Sequence, residues 1–386
     1  MAFAAALSEH PLATHATGEV VGELLERLGG PPDLAVLFVT GPHVGVLEDI
    51  AAAVHRLLSP GTLVGCSAVS VLAGDEEVEG TPGVALWGGS TGAVAAHHVE
   101  VVDGPDGPTL QGVDGADLET AATAVLLADP ATFPVAPVLD ALAAGHPQLT
   151  VVGGVASAGT QPGANRLVLD GRLHDRGAVL VLLAPDVPVE VVVSQGCGPV
   201  GQPFTVTAAE RNMIIELAGR PALERVQETI DGLDERDRAA AAKGLHMGRV
   251  VDEHKLDFDR GDFLVRNVLG ADRSNGAVAV GDEVEVGSTV QLHVRDADSA
   301  DADLRLLLDE HAGEGALVFT CNGRGMQLFG EPHHDASVVA ESLGTTAVAG
   351  MFCAGEVGPV GGRSFLHGFT AVTVIFRPRP SLRFPP

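Results

Sequence analysis

Three times along this chain a short apolar run leads into a helical stretch, a second apolar run and a glycine-rich segment. The first passage is AVLFVT (35–40) followed by LVGCSA (63–68), and the second AVLLAD (124–129) followed by TVVGGVASAG (150–159). The third is ALVFTCNGRG (316–325) followed by TAVAGMFCAGEVGP (346–359). Each closes on a further run: GVALWGG (83–89), GAVLVLLA (177–184) and GFTAVTVIF (368–376). Valine-rich runs of this length, bounded by glycine, read as buried strands. Glycine at a strand end lets backbone amides approach a small ligand closely. The recurrence predicts related units with irregular backbone, and a pocket, at strand ends.

A chain of 386 residues is long for one core, which favours two domains. Helical spacing appears over 17–30, 46–58, 137–144, 211–217, 221–230 (proline in its first turn) and 299–311. Strands are expected at 83–88, 94–101, 189–194, 204–207, 262–269, 277–280 and 289–294, and a hairpin at 166–173 and 177–183 about a turn at 175–177. Residues 103–115 and 194–203 read as loops, and 188–207 opens a less regular fourth unit. Consecutive strands without helices exclude a purely parallel doubly wound sheet. The expected class is α+β: mixed, largely antiparallel sheets covered by helices, built from repeated strand-helix-strand-strand units in two halves. The expected division is a helical lead (1–31), an N-terminal domain (32–219), a C-terminal domain (220–376) and a proline-rich tail (377–386) forming an extended edge or arm.

With 51 acidic against 23 basic residues the net charge is −28, which repels nucleic acid and anionic membrane surfaces. The N-terminus lacks a basic flank and meets Glu9 and His10 early, unlike a signal peptide. The longest apolar stretch, 178–193, is broken by Pro185, Asp186 and Pro188. Four cysteines, Cys66, Cys197, Cys321 and Cys353, make no disulfide framework in a chain this long. A cytoplasmic protein without membrane or nucleic-acid partners is expected. The cysteines lack chelating spacing, and His333-His334 beside Pro332 reads as a surface doublet, so no metal and no cofactor are expected. Phosphate-loop, zinc-protease and nucleophile-elbow motifs are absent from the sequence.

Polar residues at the strand ends are the candidates for chemistry. Cys321-Asn322-Gly323-Arg324 follows an apolar run, and the Arg324 guanidinium there suits a carboxylate held by two parallel hydrogen bonds, or anchors the loop. Cys353-Ala354-Gly355-Glu356 occupies the corresponding turn, where Glu356 accepts from an ammonium group or pairs with Arg324 or Arg266. Arg266 and Asn267 interrupt the apolar run FLVRNVLG and face a pocket or satisfy a backbone edge. Cys66 and Ser67, with Ser157, offer an anion-binding turn or ordinary turn capping, and Gly65, Gly154, Gly323 and Gly355 offer backbone donors. All four cysteines read as turn residues. A nucleophilic role for Cys321 or Cys353 requires a base such as His246, His293 or His367, and no catalytic residue is assigned.

Taken together, DLAVLFVT, LVGCSA, GDFLVRNVLGAD, AVAVGDEVEVGSTVQLHVRDADSA, ALVFTCNGRG and GMFCAGEVGP…FLHGFTAVTV resemble the FIST-domain family, with both its N-terminal and C-terminal domains, over about 32–376. The resemblance implies a sensory signal-input module that binds small ligands such as amino acids and passes the signal to an output protein. It supplies no catalytic residues. No kinase, cyclase or methyl-accepting segment fits in the remaining residues, as in a stand-alone bacterial type, and the output partner is unidentified. The expected function is a non-enzymatic small-ligand sensor for amino acids or related small carboxylates. The alternatives are a cysteine-dependent enzyme of small-molecule metabolism and an interaction scaffold docking a basic partner. In the sensor reading, Arg324→Ala removes ligand stabilisation and leaves the ligand-free melting point nearly intact.

Overall fold

In the computed structural model, which describes residues 2–104 and 107–377, the paired apolar runs are parallel strand pairs. Leu34–Thr40 pairs with Thr62–Ala68, Thr123–Ala128 with Thr150–Val155, and Gly315–Cys321 with Val348–Cys353. Parallel pairing requires a crossover, and the helices Leu47–Leu58, Val135–Gly145 and His334–Leu343 supply it. The closing runs Val84–Gly89, Ala178–Leu183 and Thr370–Phe376 lie antiparallel beside the first strand of each pair. Three mixed sheets result, and helices cover them: the fold is α+β.

The sheets are joined by exchanged hairpins. After Thr62–Ala68 the chain forms Ser70–Ala73 and Glu76–Glu79, which extend the third sheet at Val348–Cys353. Leu167–Leu169 and Arg172–His174 extend the first sheet at Thr62–Ala68. Glu356–Val360 extends the second at Thr150–Val155. The parallel strands approach so closely that Cβ atoms added at Gly65 and Gly350 would fall 2.0 Å from the carbonyl oxygens of Leu37 and Val318. Glycine at these positions serves strand packing. Gly65 and Gly154 therefore lie inside strands and not in donor turns.

Inward residues of all three sheets, among them Phe38, Trp87, Leu127, Phe319, Met351 and Phe376, form one core. Trp87 packs against Phe3 and Phe376, and its indole N–H donates to the Ala347 carbonyl at 3.0 Å. Helices Ala13–Leu28 and Leu47–Leu58 cover the outer face of the first sheet, and Val135–Gly145 that of the second.

Contacts divide the chain into two units. The three-sheet unit takes the chain up to Val193, then Arg305–Leu366 and the part from Ala371 on; the other takes Ser194–Leu304 and His367–Thr370. In the second unit a seven-stranded sheet carries the two-residue strand Arg220–Pro221 at its end, after six strands in the order Cys197–Glu210, Thr289–Arg295, Leu245–Val250, Phe263–Asp272, Ala277–Val280, Met213–Leu217. The last of these six pairs back to the first and closes a barrel. Register shifts at Val200/Phe204 and Val268/Gly270 bend the two longest strands so that each serves two walls. Val206, Ile214, Leu217, Met247, Val290 and Leu292 fill the interior, and helix Ala222–Gly232 adds Ala222 and Val226.

Several sequence expectations are corrected. Residues 211–217 contain the strand Met213–Leu217, whose buried Ile214 and Leu217 mimic helical spacing. The expected loop at 194–203 belongs largely to strand Cys197–Glu210, where Pro199 and Pro203 are tolerated beside the register shift. Gly107–Gln111 pairs with Ala95–Gly104 inside the expected loop 103–115, of which residues 105 and 106 lie outside the described ones. The hairpin turn expected at 175–177 lies at Asp170-Gly171, and Ala178–Leu183 departs to the second sheet. The lead contains a strand, Phe3–Ser8, before its helix. Of the expected arm, 377–386, all but Arg377 lies outside the described residues. Among the described residues no helix is long and apolar enough to cross a membrane.

Candidate functional site

The third parallel pair ends at Cys321 and Cys353, which stand opposite each other in register. Beyond Cys321 the chain turns through Asn322 and Gly323 and sends Arg324 inward, where it is 0% exposed. Its Nε and Nη2 donate to the two carboxylate oxygens of Asp335 at 2.7 and 2.8 Å. The fork anticipated for a ligand is thus taken by Asp335, and Arg324 Nη1 has no hydrogen-bond partner among the described residues. Asp335 also accepts from the Thr320 hydroxyl and lies 3.0 Å from His334 Nδ1. Phe329 stacks on the His334 ring, and the guanidinium lies over Phe329 at 5.1 Å.

Two carboxylates reach the same place from strand Glu76–Glu79. Residues two apart on a strand share a face, so Glu77 and Glu79 project together. Glu77 Oε1 accepts the Ala336 N–H in the first turn of helix His334–Leu343 at 3.0 Å. Glu79 Oε1 accepts the Met326 N–H at 2.9 Å. The Glu79 carboxylate fills the space where a Cβ on Gly325, at φ +62, would stand, so both room and backbone require glycine there. The Glu77 backbone N–H donates to His333 Nδ1 at 2.8 Å.

Burial alone would neutralise these groups, and their partners decide the outcome. For Arg324 burial opposes the cation, but Asp335 outweighs it and the guanidinium is held charged. For Asp335 burial acts upward, yet Arg324 and the hydrogen bonds from His334 and Thr320 hold it well below the usual carboxylate range. Glu77 has no such cation. Burial first and Asp335 second push it up to about 7, against the opposing Ala336 N–H.

Glu356 is fully buried at the start of Glu356–Val360 and acts electrostatically on both Arg324 and Cys353. Asn322 is exposed, Gly323 half-buried and Gly355 buried; the Asn322 N–H donates to the Cys353 carbonyl and the Gly355 carbonyl accepts from Val155 N–H. Cys66 Sγ lies 3.1 Å from Met351 Sδ. Ser67 accepts the Arg166 N–H on its hydroxyl at 3.0 Å, and the Ser157 hydroxyl donates to the Phe352 carbonyl. The turn placement of the cysteines is corrected: all four are buried and in strands. Burial raises Cys66, and burial with Glu356 raises Cys353.

Arg266 and Asn267 belong to the other unit. There Arg266 pairs with Asp282 at 3.3 Å, burial lowering its affinity for the proton, and Asn267 is exposed. The three-sheet unit holds the remaining candidates. Sequence reasoning missed Asp335, Glu77, Glu79, Thr320 and His334. The surface reading of the histidine doublet is overturned: His334 is 6% exposed and His333 half-buried. The acid at the start of an apolar helix and the alternating pair in EEVE were the available signals. Among the described residues no group of three or more ligating side chains is placed to hold a metal ion.

Comparison with known proteins places the chain in a family. The FIST N domain matches residues 33–220 and the FIST C domain residues 222–359. An uncharacterized Mycobacterium tuberculosis protein is 42% identical over 377 residues, covering 96% of this chain and 98% of its own length. An uncharacterized Mycobacterium bovis protein is 41% identical over 373 residues, covering 95% of this chain and 96% of its own. The chain belongs to the FIST family, whose domains are sensory modules of signal transduction, and it carries both the N and the C domain.

Proposed function

We propose that the protein senses an amino acid or related small carboxylate without chemical turnover, and hands the signal to a separate output protein in the cytoplasm. The observation that carries this reading is Arg324 Nη1, a fully buried cationic donor with no hydrogen-bond partner among the described residues. A buried donor left unsatisfied is costly, and an incoming carboxylate oxygen satisfies it with a charge-assisted bond. Glu77 and Glu356 lie within electrostatic reach of the Arg324–Asp335 pair, which suits a ligand that also carries an ammonium group. The cysteine-enzyme alternative is disfavoured by burial of all four thiols.

The test is a thermal-shift panel of amino acids and small organic acids on the full chain. A ligand at about one hundred times its Kd adds roughly 2.7 kcal/mol. Arg324→Lys keeps a cation beside Asp335 but loses the extra donor, and it is expected to abolish the shift. Arg324→Ala is unsuitable. It strands the buried Asp335 carboxylate and costs about 3–5 kcal/mol without any ligand, contrary to the expectation of an intact melting point. A panel with no shift, or a shift retained in Arg324→Lys, overturns the reading.

A further inference from the structure

The buried cluster holds more negative charge than positive. Arg324 is matched by Asp335, while Glu77 and Glu79 approach from strand Glu76–Glu79, and the positive influence on Glu77 from His334 is the weakest of those acting on it. Those facing the Glu77 carboxyl are Asp335 and His334 from helix His334–Leu343, and Glu79 from its own strand. Glu77 is 6% exposed; Oε1 is occupied by the Ala336 N–H, and Oε2 has no hydrogen-bond partner among the described residues. A carboxyl so placed does not keep an uncompensated charge. It holds either a proton or a cation. Two buried, unsatisfied atoms of opposite polarity, Arg324 Nη1 and Glu77 Oε2, thus belong to groups that share Asp335 as their neighbour.

We propose that Glu77 is the specificity-determining residue of this site, exchanging its proton for the ammonium group of an amine-bearing carboxylate whose acid end meets Arg324 Nη1. The inference rests on the carboxylate reading above. No covalent bond to the ligand changes: the Glu77 proton leaves to water, and an ammonium N–H donates to Oε2. The charge at Glu77 is balanced in both states. A des-amino carboxylate has nothing to put there and requires Glu77 to stay protonated. The two ligand classes therefore have opposite pH dependence. The amino acid gains affinity as pH rises toward the point where Glu77 ionises unaided, and the des-amino acid loses affinity beyond it.

The experiment is titration calorimetry on the full chain at about pH 6 and about pH 8, using each amino acid that shifts the melting temperature and its des-amino counterpart. The amino acid is expected to bind up to about tenfold tighter at the higher pH, and its counterpart to move the other way. Glu77→Gln keeps an oxygen for the Ala336 N–H, and it is expected to bind both equally and without pH dependence. Equal binding of the two classes by the unaltered protein at both pH values overturns the role of Glu77 while leaving the carboxylate reading in place. A panel with no binder overturns both. A carboxyl-carbon NMR titration of the ligand-free protein, assigned by the signal lost in Glu77→Gln, checks the residue directly. Should that variant not fold, Glu77→Asp serves for the assignment. A Glu77 that titrates in the ordinary carboxylate range overturns the proposal.

Discussion

A cysteine at the end of an apolar strand carries opposite meanings depending on what surrounds its sulfur. Cys321 and Cys353 follow the same kind of run in the sequence, and either would suit a nucleophile if a base lay nearby. Instead Cys353 is fully buried beside Glu356, and Cys66 sits against Met351; both environments disfavour the thiolate. The native protein is therefore expected to react with a maleimide far more slowly than an exposed thiol, and to release four reactive thiols together in denaturant. A single thiol that labels rapidly in the folded protein would restore the enzyme reading. Arg324 was legible because a charged residue just past a buried run must find compensation. Its partners were not. Asp335 lies eleven residues on, across a turn whose path the sequence does not reveal, and the amide that holds Glu77 is 259 residues away from it.

The strands were legible in the short valine-rich runs, but their neighbours were only partly so. Parallel pairing follows from local order, since a run, a helix and a second run leave few arrangements. The hairpins Ser70–Ala73/Glu76–Glu79 and Leu167–Leu169/Arg172–His174 leave for other sheets, and no periodicity encodes a destination that remote. Met213–Leu217 was misread because a five-residue run cannot separate a period of 3.6 from one of 2. Glycine in these strands carried information of a different kind from the turn signal first read. Gly350 stands opposite Val318 with the neighbouring carbonyl in the space of a Cβ. Backbone on one side and core on the other leave nothing flexible to move, so Gly350→Ala is expected to cost about 3 kcal/mol, measured as a lowered denaturant midpoint. Gly29→Ala makes a useful contrast: its added methyl has open space, and only the left-handed backbone, φ +73, opposes it. A Gly350→Ala chain as stable as the original would show that the parallel pair can shift to admit a side chain.

The two units carry buried titratable groups that shift in opposite directions, lowered in one and raised in the other, which gives the chain a testable signature. In the barrel unit His246 and His293 face each other across paired strands, 5% and 0% exposed. Phe369 lies against the first ring and Phe263 against the second. Burial, and for His246 the nearby Arg295, lower both from 6.5 to about 4. The folded form then binds fewer protons than the unfolded one, so stability is intact above about 6.5 and falls as pH drops toward about 4. In the three-sheet unit Glu77 is raised from 4.5 to about 7, so its contribution is intact below about 4.5 and is lost as pH rises through about 7. Each unit has its own core, so calorimetry is expected to resolve two transitions that move oppositely. Acid lowers the barrel transition, and His293→Phe, an apolar ring of similar shape, reduces that sensitivity. Raising the pH lowers the other transition, and Glu77→Gln removes that dependence. One transition responding to both variants would mean that the units unfold as a single cooperative body.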